Sequence, residues 1–177
     1  DAKKRFLRGL DFYLVQDFAS SIDDFTQSIL LDDKFFPAYF MRSLVRYKQL
    51  EYKKAEAGLT EGVPGASVDS KNQVTALDYD IVRKDLDHVI QLAPDFVYGY
   101  YNRANVLSLL KDYRGALVDY DKAIELNKDF AEAYFNRGLT HIFLGNNKQG
   151  ITDLSKAGEL GIVSAYNIIK RFTNTRE

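Results

Sequence analysis

The sequence AYFNRG at residues 133–138 repeats a pattern that the chain has already used as GYYNRA at residues 99–104. Tyr, Asn and Arg stand in the same order in both stretches, 34 residues apart. When Tyr134 is aligned with Tyr100, the agreement continues without a gap. A fixed period of this length indicates an array of short structural repeats. The matching pairs include Asn102/Asn136, Arg103/Arg137, Asp119/Asp153, Lys122/Lys156, Ala123/Ala157, Glu125/Glu159 and Leu126/Leu160.

Each repeat has the pattern of two helices joined by a short turn. Tyr100, Ala104 and Leu107 form one apolar stripe at helical spacing. A second stripe follows after the turn-like segment LKDYRG, and it consists of Leu117, Tyr120, Ala123 and Ile124. Because the turn is so short, the two helices must be antiparallel neighbours, and the unit is a helical hairpin. Hairpins with one apolar side each bury that side by stacking on one another.

This pattern resembles the tetratricopeptide repeat over nearly the whole chain. In one unit Tyr100, Ala104, Leu107, Ala116, Tyr120 and Ala123 match the large and small residues of the family pattern. The resemblance implies an all-α fold, a right-handed α-superhelix (solenoid) of four helical hairpins plus a C-terminal capping helix. Within a single domain spanning 1–177 we expect hairpins at 2–35, 36–96, 97–130 and 131–162, and the cap at 163–173.

The period is broken once, inside the second hairpin. The leading residues Tyr39 and Tyr100 lie 61 residues apart, which is 34 plus 27. Turn-like sequences flank the extra residues, so we expect an insertion at about 50–76 between the two helices. KKAEAGL at its start has the pattern of a continued helix, whereas EGVPGASVDSKNQ at 61–73 has no helical stripe. The insertion is either a tolerated surface loop or an arm that contacts a partner.

The two ends of the chain differ in pattern. VSAYNIIKRF at 163–172 predicts the capping helix that closes the last hydrophobic face of a solenoid. Its buried residues are expected to be Ala165, Ile168, Ile169 and Phe172. The chain begins at Asp1 without an initiator Met, which we interpret as the start of a fragment or a processed product.

Arginines and aspartates recur in the register of the hairpins. A guanidinium on a mostly buried face needs a carboxylate partner, because its desolvation is otherwise uncompensated. Two pairing schemes fit the spacing. Within hairpins the pairs are Arg8–Asp24, Arg42–Asp85, Arg103–Asp119 and Arg137–Asp153, whereas between neighbouring hairpins they are Asp24–Arg42, Asp85–Arg103, Asp119–Arg137 and Asp153–Arg171. We favour the second scheme, because it also gives the arginine of the capping helix a partner. In both schemes we interpret the pairs as structural ties, and the alternative is a ladder of ligand-binding arginines.

The resemblance also implies a binding surface, because the first helices of such hairpins line a concave groove. The residue after each leading position is aromatic, namely Phe6, Phe40, Tyr101 and Phe135. Tyr13 and Tyr47 lie further along the same helices, and Asn102, Asn105 and Asn136 add amide groups. We expect these nine side chains to bind an extended peptide or an amphipathic helix. Alternatively, part of the set packs between hairpins. Lysine is absent from these positions, so a free C-terminal carboxylate is not the expected ligand.

Composition excludes several classes of function. Twenty-four basic residues against 25 acidic ones give a net charge of −1, which argues against binding to nucleic acid or to anionic membranes. The chain has no cysteine, and its two histidines, His88 and His141, belong to different hairpins. We expect a packed His141, a solvated His88 and no metal site. No phosphate-binding loop or nucleophile motif occurs, so neither a cofactor nor enzymatic activity is expected.

The function that this sequence predicts is protein–protein interaction, as a scaffold or adaptor for a protein or peptide partner. The alternative is a structural module that self-assembles weakly or docks within a larger protein. Neither nucleic-acid binding nor membrane insertion is expected.

Overall fold

A computed structural model describes residues 1–60 and 74–173 of the chain. Within them the chain forms nine α-helices and no strand, so the predicted all-α fold is confirmed. The centre of the insertion, residues 61–73, lies outside the described residues. The helices are α1 (Ala2–Leu14), α2 (Phe18–Leu31), α3 (Phe36–Thr60), α4 (Ala76–Leu92), α5 (Val97–Leu109), α6 (Tyr113–Leu126), α7 (Ala131–Phe143), α8 (Asn147–Glu159) and α9 (Ser164–Thr173).

Contacts between residues divide the chain into two compact units, Asp1–Pro94 and Asp95–Glu177. Unit 1 contains the hairpins α1–α2 and α3–α4. Unit 2 contains the hairpins α5–α6 and α7–α8, followed by α9. Within each unit every helix packs against the next one along the chain.

The first helices differ in length at the insertion. Helix α3 has 25 residues, whereas α1, α5 and α7 have 13 each. Its last turns include the segment KKAEAGL, so the predicted continuation of the first helix is confirmed. The insertion of hairpin 2 therefore follows a first helix that is about three turns longer than its counterparts.

A repeated turn joins the two helices of the hairpins without an insertion. The first helix ends before a residue in the left-handed backbone region, whose φ is 61° at Gln16, 64° at Lys111 and 80° at Gly145. In two of these turns an aspartate follows and caps the second helix. Asp17 accepts from the backbone N–H of Ser20 at 3.1 Å, and Asp112 accepts from that of Gly115 at 2.9 Å.

The helices of hairpin α7–α8 cross so closely that Gly150, which faces Gly138, has no room for a side chain. A methyl group on Gly150 would lie 2.8 Å from the carbonyl oxygen of Gly138 and 2.5 Å from Cγ1 of Ile142. Real side chains do not sustain such distances, and the backbone could not yield without separating the helices. This close crossing brings Arg137, the neighbour of Gly138, within reach of α8.

One large side chain from each second helix fills the centre of its hairpin. These residues occupy the same repeat position and are at most 2% exposed. The aspartate that precedes each of them is also buried. The four core residues are Phe25, Leu86, Tyr120 and Leu154.

Helix α9 covers the end of unit 2. Its residues are shifted by two positions from the predicted period of 34. Ala165 is fully buried against Leu154 and Ala157. Its backbone N–H bonds to the carbonyl of Ile162, as that of Ala133 bonds to Phe130 in hairpin 4. Ala165 thus lies 32 residues after its counterpart instead of 34.

The shift decides which residues of α9 are buried. Ile168 and Ile169 pack on the last core cluster, as predicted. Phe172 was expected in the core, but its side chain is 39% exposed, so this part of the prediction is wrong. With the two-residue offset, Ile169 takes the place that an arginine holds in the four hairpins.

Candidate functional site

Four ion pairs join the first helix of a hairpin to its second helix. Each arginine directs two N–H groups at the two oxygens of one carboxylate, a geometry that is both strong and specific. The nearest approaches are Arg8 Nε to Asp24 Oδ2 at 2.5 Å, Arg42 Nη2 to Asp85 Oδ1 at 2.6 Å, Arg103 Nε to Asp119 Oδ2 at 2.7 Å and Arg137 Nη2 to Asp153 Oδ1 at 2.6 Å.

The favoured prediction of pairs between neighbouring hairpins is therefore wrong, and the pairs lie within hairpins. The reason is the helix crossing. Each arginine directly precedes the small residue at the crossing, as Arg137 precedes Gly138, and each aspartate directly precedes the central core residue of the second helix. Both side chains therefore meet at the crossing point of their own hairpin.

The pairing predicted for Arg171 uses a carboxylate that another arginine already holds. The carboxylate of Asp153, its expected partner, is bonded to Arg137 through both oxygens. Because α9 is offset by two residues, Ile169 stands at the arginine position, and Arg171 lies exposed on the helix surface.

Two contacts between hairpins exist, but their acceptors are residues that the predicted pairs did not include. Nη1 of Arg137 donates to Asp121 of the preceding second helix at 2.6 Å, and Nη1 of Arg42 donates to Thr26 Oγ1 at 3.0 Å. Thr26 and Asp121 lie two residues after Asp24 and Asp119. The repeated polar residue at this second position was the signal available in the sequence.

Unit 1 has a second arginine on each buried aspartate. Arg5 bonds Asp24 at 2.9 Å, and Arg46 bonds Asp85 at 2.7 Å. Hydrogen bonds from Arg8, with a smaller contribution from Arg5, hold the pKa of Asp24 below its usual value. Burial lowers the pKa of Arg46. Each cluster is a tie within a hairpin in which two arginines share one carboxylate.

The predicted row of aromatic residues, which we call the ladder, is half-buried. It consists of Phe6, Phe40, Tyr101 and Phe135. The ring centroids of Phe6 and Phe35 are 5.2 Å apart, and those of Tyr101 and Phe130 are 4.7 Å apart. Phe35 and Phe130 occupy equivalent places just before the next first helix. Phe135 packs on the core cluster beside α9, and Phe40 is also half-buried. Each of these rings is therefore only partly accessible to solvent.

Two tyrosines predicted further along the groove in unit 1 contact other side chains. The Nζ of Lys48 lies over the ring of Tyr13, 5.3 Å from its centroid. The ring of Tyr47 lies 6.4 Å from that of Tyr79 on α4. Both are half-buried, like the ladder rings.

In unit 2 the asparagines of the first helices form a hydrogen-bonded group. Nδ2 of Asn136 on α7 donates to Oδ1 of Asn105 on α5 at 2.9 Å. The Tyr120 hydroxyl donates to the same Oδ1 at 2.6 Å, and Asn136 also donates to the Tyr101 hydroxyl at 3.2 Å. Burial raises the pKa of that Tyr101 hydroxyl. Asn102 is not in this group, because it donates to the Tyr98 carbonyl of its own helix.

The histidines and acidic residues do not suggest a metal site. In residues 1–60 and 74–173 no group of three or more His, Cys, Asp or Glu side chains could hold a metal ion. His88 is exposed and stacks on Tyr39, with ring centroids 4.9 Å apart. His141 is half-buried, with Nδ1 buried and unbonded. Over the same described ranges, no helix is both long and apolar enough to cross a membrane.

Comparison with known families identifies part of the chain. A tetratricopeptide repeat model matches residues 97–130, and a second model of the same description matches residues 119–152. Residues 97–152 are tetratricopeptide repeats. No curated protein matches the chain by sequence.

Solved structures resemble 90–96% of the chain at low sequence identity. A crystal structure of MamA has a TM-score of 0.72 at 16% identity and covers 94% of this chain and 81% of that chain. MamA 41-end from Desulfovibrio magneticus RS-1 has a TM-score of 0.70 at 15% identity, covering 90% and 75%. YrrB has a TM-score of 0.53 at 17% identity, covering 96% and 92%. These likenesses show the fold, a helical solenoid.

Proposed function

We propose that the chain is a protein-interaction scaffold without catalytic activity, and that it binds a peptide or helix along its first helices. The tetratricopeptide repeats at residues 97–152 support this proposal. YrrB, which shares the fold, is a TPR protein with an unusual peptide-binding site. Further support comes from the side chains on α5 and α7.

The observation that carries the proposal is the pair Asn105 and Asn136, which we call the amide pair. Their mutual hydrogen bond uses Oδ1 of Asn105 and Nδ2 of Asn136. Oδ1 of Asn136 forms no hydrogen bond within the described part of the chain, and Nδ2 of Asn105, which has two N–H groups, interacts there only with the Tyr101 hydroxyl. One donor group and one acceptor therefore remain for a ligand. A peptide group, which has one C=O and one N–H, matches them.

The amide pair is held in place before any ligand arrives. The hydroxyl of Tyr120, a side chain that is 2% exposed, anchors Asn105 from α6. The hydroxyl of Tyr101 accepts from Asn136 and fixes its orientation. A ligand that meets oriented groups loses less entropy on binding than one that must order them.

The surroundings of the amide pair favour a ligand with apolar side chains. Tyr101 and Phe135, which adjoin Asn136, have half-buried rings, and Leu139, one helical turn from Phe135, is 36% exposed. Apolar side chains of a bound peptide would cover these surfaces while its backbone bonds the amides. Because the ladder rings also pack internally, they supply contact area and the amides supply specificity.

The test selects linear peptides against the whole chain from a displayed library and measures their affinity by calorimetry. We expect Asn105→Ala and Asn136→Ala each to weaken binding about tenfold, equivalent to about 1.4 kcal/mol. The matched control is Asn167→Ala, which removes an exposed asparagine from α9 and should leave the affinity unchanged. Equal affinity for all four proteins would refute the proposed role of the amide pair.

A further inference from the structure

Unit 2 has an exposed apolar surface away from the amide pair, at the edge formed by its hairpin turns. Leu109 and Phe143 end the first helices of successive hairpins at equivalent positions. Phe143 is 66% exposed, whereas Leu109 and Leu144 are each 39% exposed. Large apolar side chains grouped at one edge are typical of an interaction site.

An aromatic contact between the hairpins organises this surface. The ring centroids of Tyr113, at the start of α6, and Phe143, at the end of α7, are 4.4 Å apart. Tyr113 is half-buried and supports Phe143 from one side, so the other side of Phe143 stays open. We name Leu109, Tyr113, Phe143 and Leu144 the turn-edge surface.

The charges beside the turn-edge surface are mostly positive. Lys111 lies in the first of the two turns, Arg114 and Lys148 are the second residues of α6 and α8, and all three are exposed. None of them forms an ion pair within residues 1–60 and 74–173. The only carboxylate of the two turns is Asp112, which already caps α6 through the N–H of Gly115. The three cations outnumber this carboxylate, so the rim of the apolar surface has a net positive charge, while Lys148 also lines a depression with Asp121.

We propose that the turn-edge surface binds an amphipathic, acidic segment of another protein, with Phe143 as the central apolar contact. The acidic side chains of that segment would pair with Lys111, Arg114 and Lys148, which gives electrostatic complementarity. A second copy of this chain fits less well. A symmetric dimer would place the same three cations opposite one another, and like charges repel. This site is separate from the amide pair and does not depend on the function proposed above.

The test uses the whole chain and a synthetic amphipathic helical peptide whose apolar face is Leu and Phe and whose polar face is Glu. Fluorescence anisotropy should show binding that weakens as salt is raised. A matched peptide with Lys in place of every Glu should bind at least about tenfold more weakly. Equal binding of the two peptides, or no binding of the acidic one, would overturn the proposal.

Variants locate the site. Phe143→Ser should weaken binding of the acidic peptide about tenfold or more, because central aromatic contacts dominate interfaces. Leu30→Ser is the control, since Leu30 is 73% exposed but lies on α2 in unit 1. Lys148→Glu should weaken binding most at low salt. Asn105→Ala should leave binding unchanged, which separates this site from the amide pair.

Two other results would refute the proposal. Equal affinity of Phe143→Ser and the unchanged chain, with both folded by circular dichroism, would exclude the turn-edge surface. Concentration-dependent self-association that Phe143→Ser abolishes would make a second copy the occupant.

Discussion

Replacing Arg137 with leucine should lower the free energy of unfolding by about 3 kcal/mol, the lower end of the range for breaking a buried ion pair. The side chain of Arg137 is 19% exposed and that of Asp153 is 8% exposed. The substitution leaves Asp153 buried without the two bonds, of 2.8 and 2.6 Å, that it accepts from Arg137. For a chain of this length the loss corresponds to a fall in Tm of about 6–12 °C.

The same arginine allows an internal comparison, because it also bonds Asp121. The side chain of Asp121 is 63% exposed, so solvent screens this contact and its coupling should be below about 1 kcal/mol. Double-mutant cycles by urea denaturation, with Asp153→Ala and Asp121→Ala, measure the two couplings. Arg114→Leu is the control, since this exposed arginine forms no ion pair in the described chain and should change stability by less than about 0.5 kcal/mol. A coupling to Asp121 as large as that to Asp153 would refute the reasoning.

Three further predictions concern stability. Gly150→Ala should cost about 1–3 kcal/mol in a thermal melt, since a methyl group would meet the Gly138 carbonyl oxygen at 2.8 Å; an unchanged melt would contradict the close crossing. Asp24→Asn should destabilise the chain at neutral pH. Because pairing with Arg8 lowers the folded-state pKa of Asp24, the native contribution is complete above about pH 4 and is lost as pH falls through that lowered pKa. Denaturation from pH 7 to pH 2 should therefore show the difference between the proteins shrinking, and a constant difference would argue against the pairing. Tyr101→Ala should cost about 2 kcal/mol, less than a fully buried aromatic residue, because its ring packs on Phe130; an unchanged melt would mean that the ring is free in the groove.

The sequence was sufficient to predict the helices and much of the core, because one side chain per repeat recurs at fixed spacing. Phe25, Leu86, Tyr120 and Leu154 are such a set, and all are at most 2% exposed. Spacing could not decide which arginine meets which aspartate. That choice depends on how closely the helices cross, and the crossing is set by contacts such as the one between Gly138 and Gly150.

The remaining misses also have local causes. Arg171 fits the period of 34 in sequence. In the structure, however, α9 reaches each repeat position two residues earlier than that period requires, as the hydrogen bond from the Ala165 N–H to the Ile162 carbonyl shows. Spacing left open whether the ladder faces a groove or packs between hairpins, because spacing says nothing about covering groups. Phe35 and Phe130 pack against Phe6 and Tyr101. They lie just before the first helix of the next hairpin, so the spacing of the ladder residues did not include them.

The central claim, that the first helices of unit 2 recognise a peptide, is tested most directly by nuclear magnetic resonance. The whole chain, labelled with nitrogen-15, is titrated with a peptide selected from the displayed library. The account predicts that the side-chain amide signals of Asn105 and Asn136 shift in proportion to binding, while that of Asn167 stays in place. If the two amide signals stay unchanged at saturation while backbone signals at Phe143 and Lys148 move, the peptide sits on the turn-edge surface and the claim is contradicted.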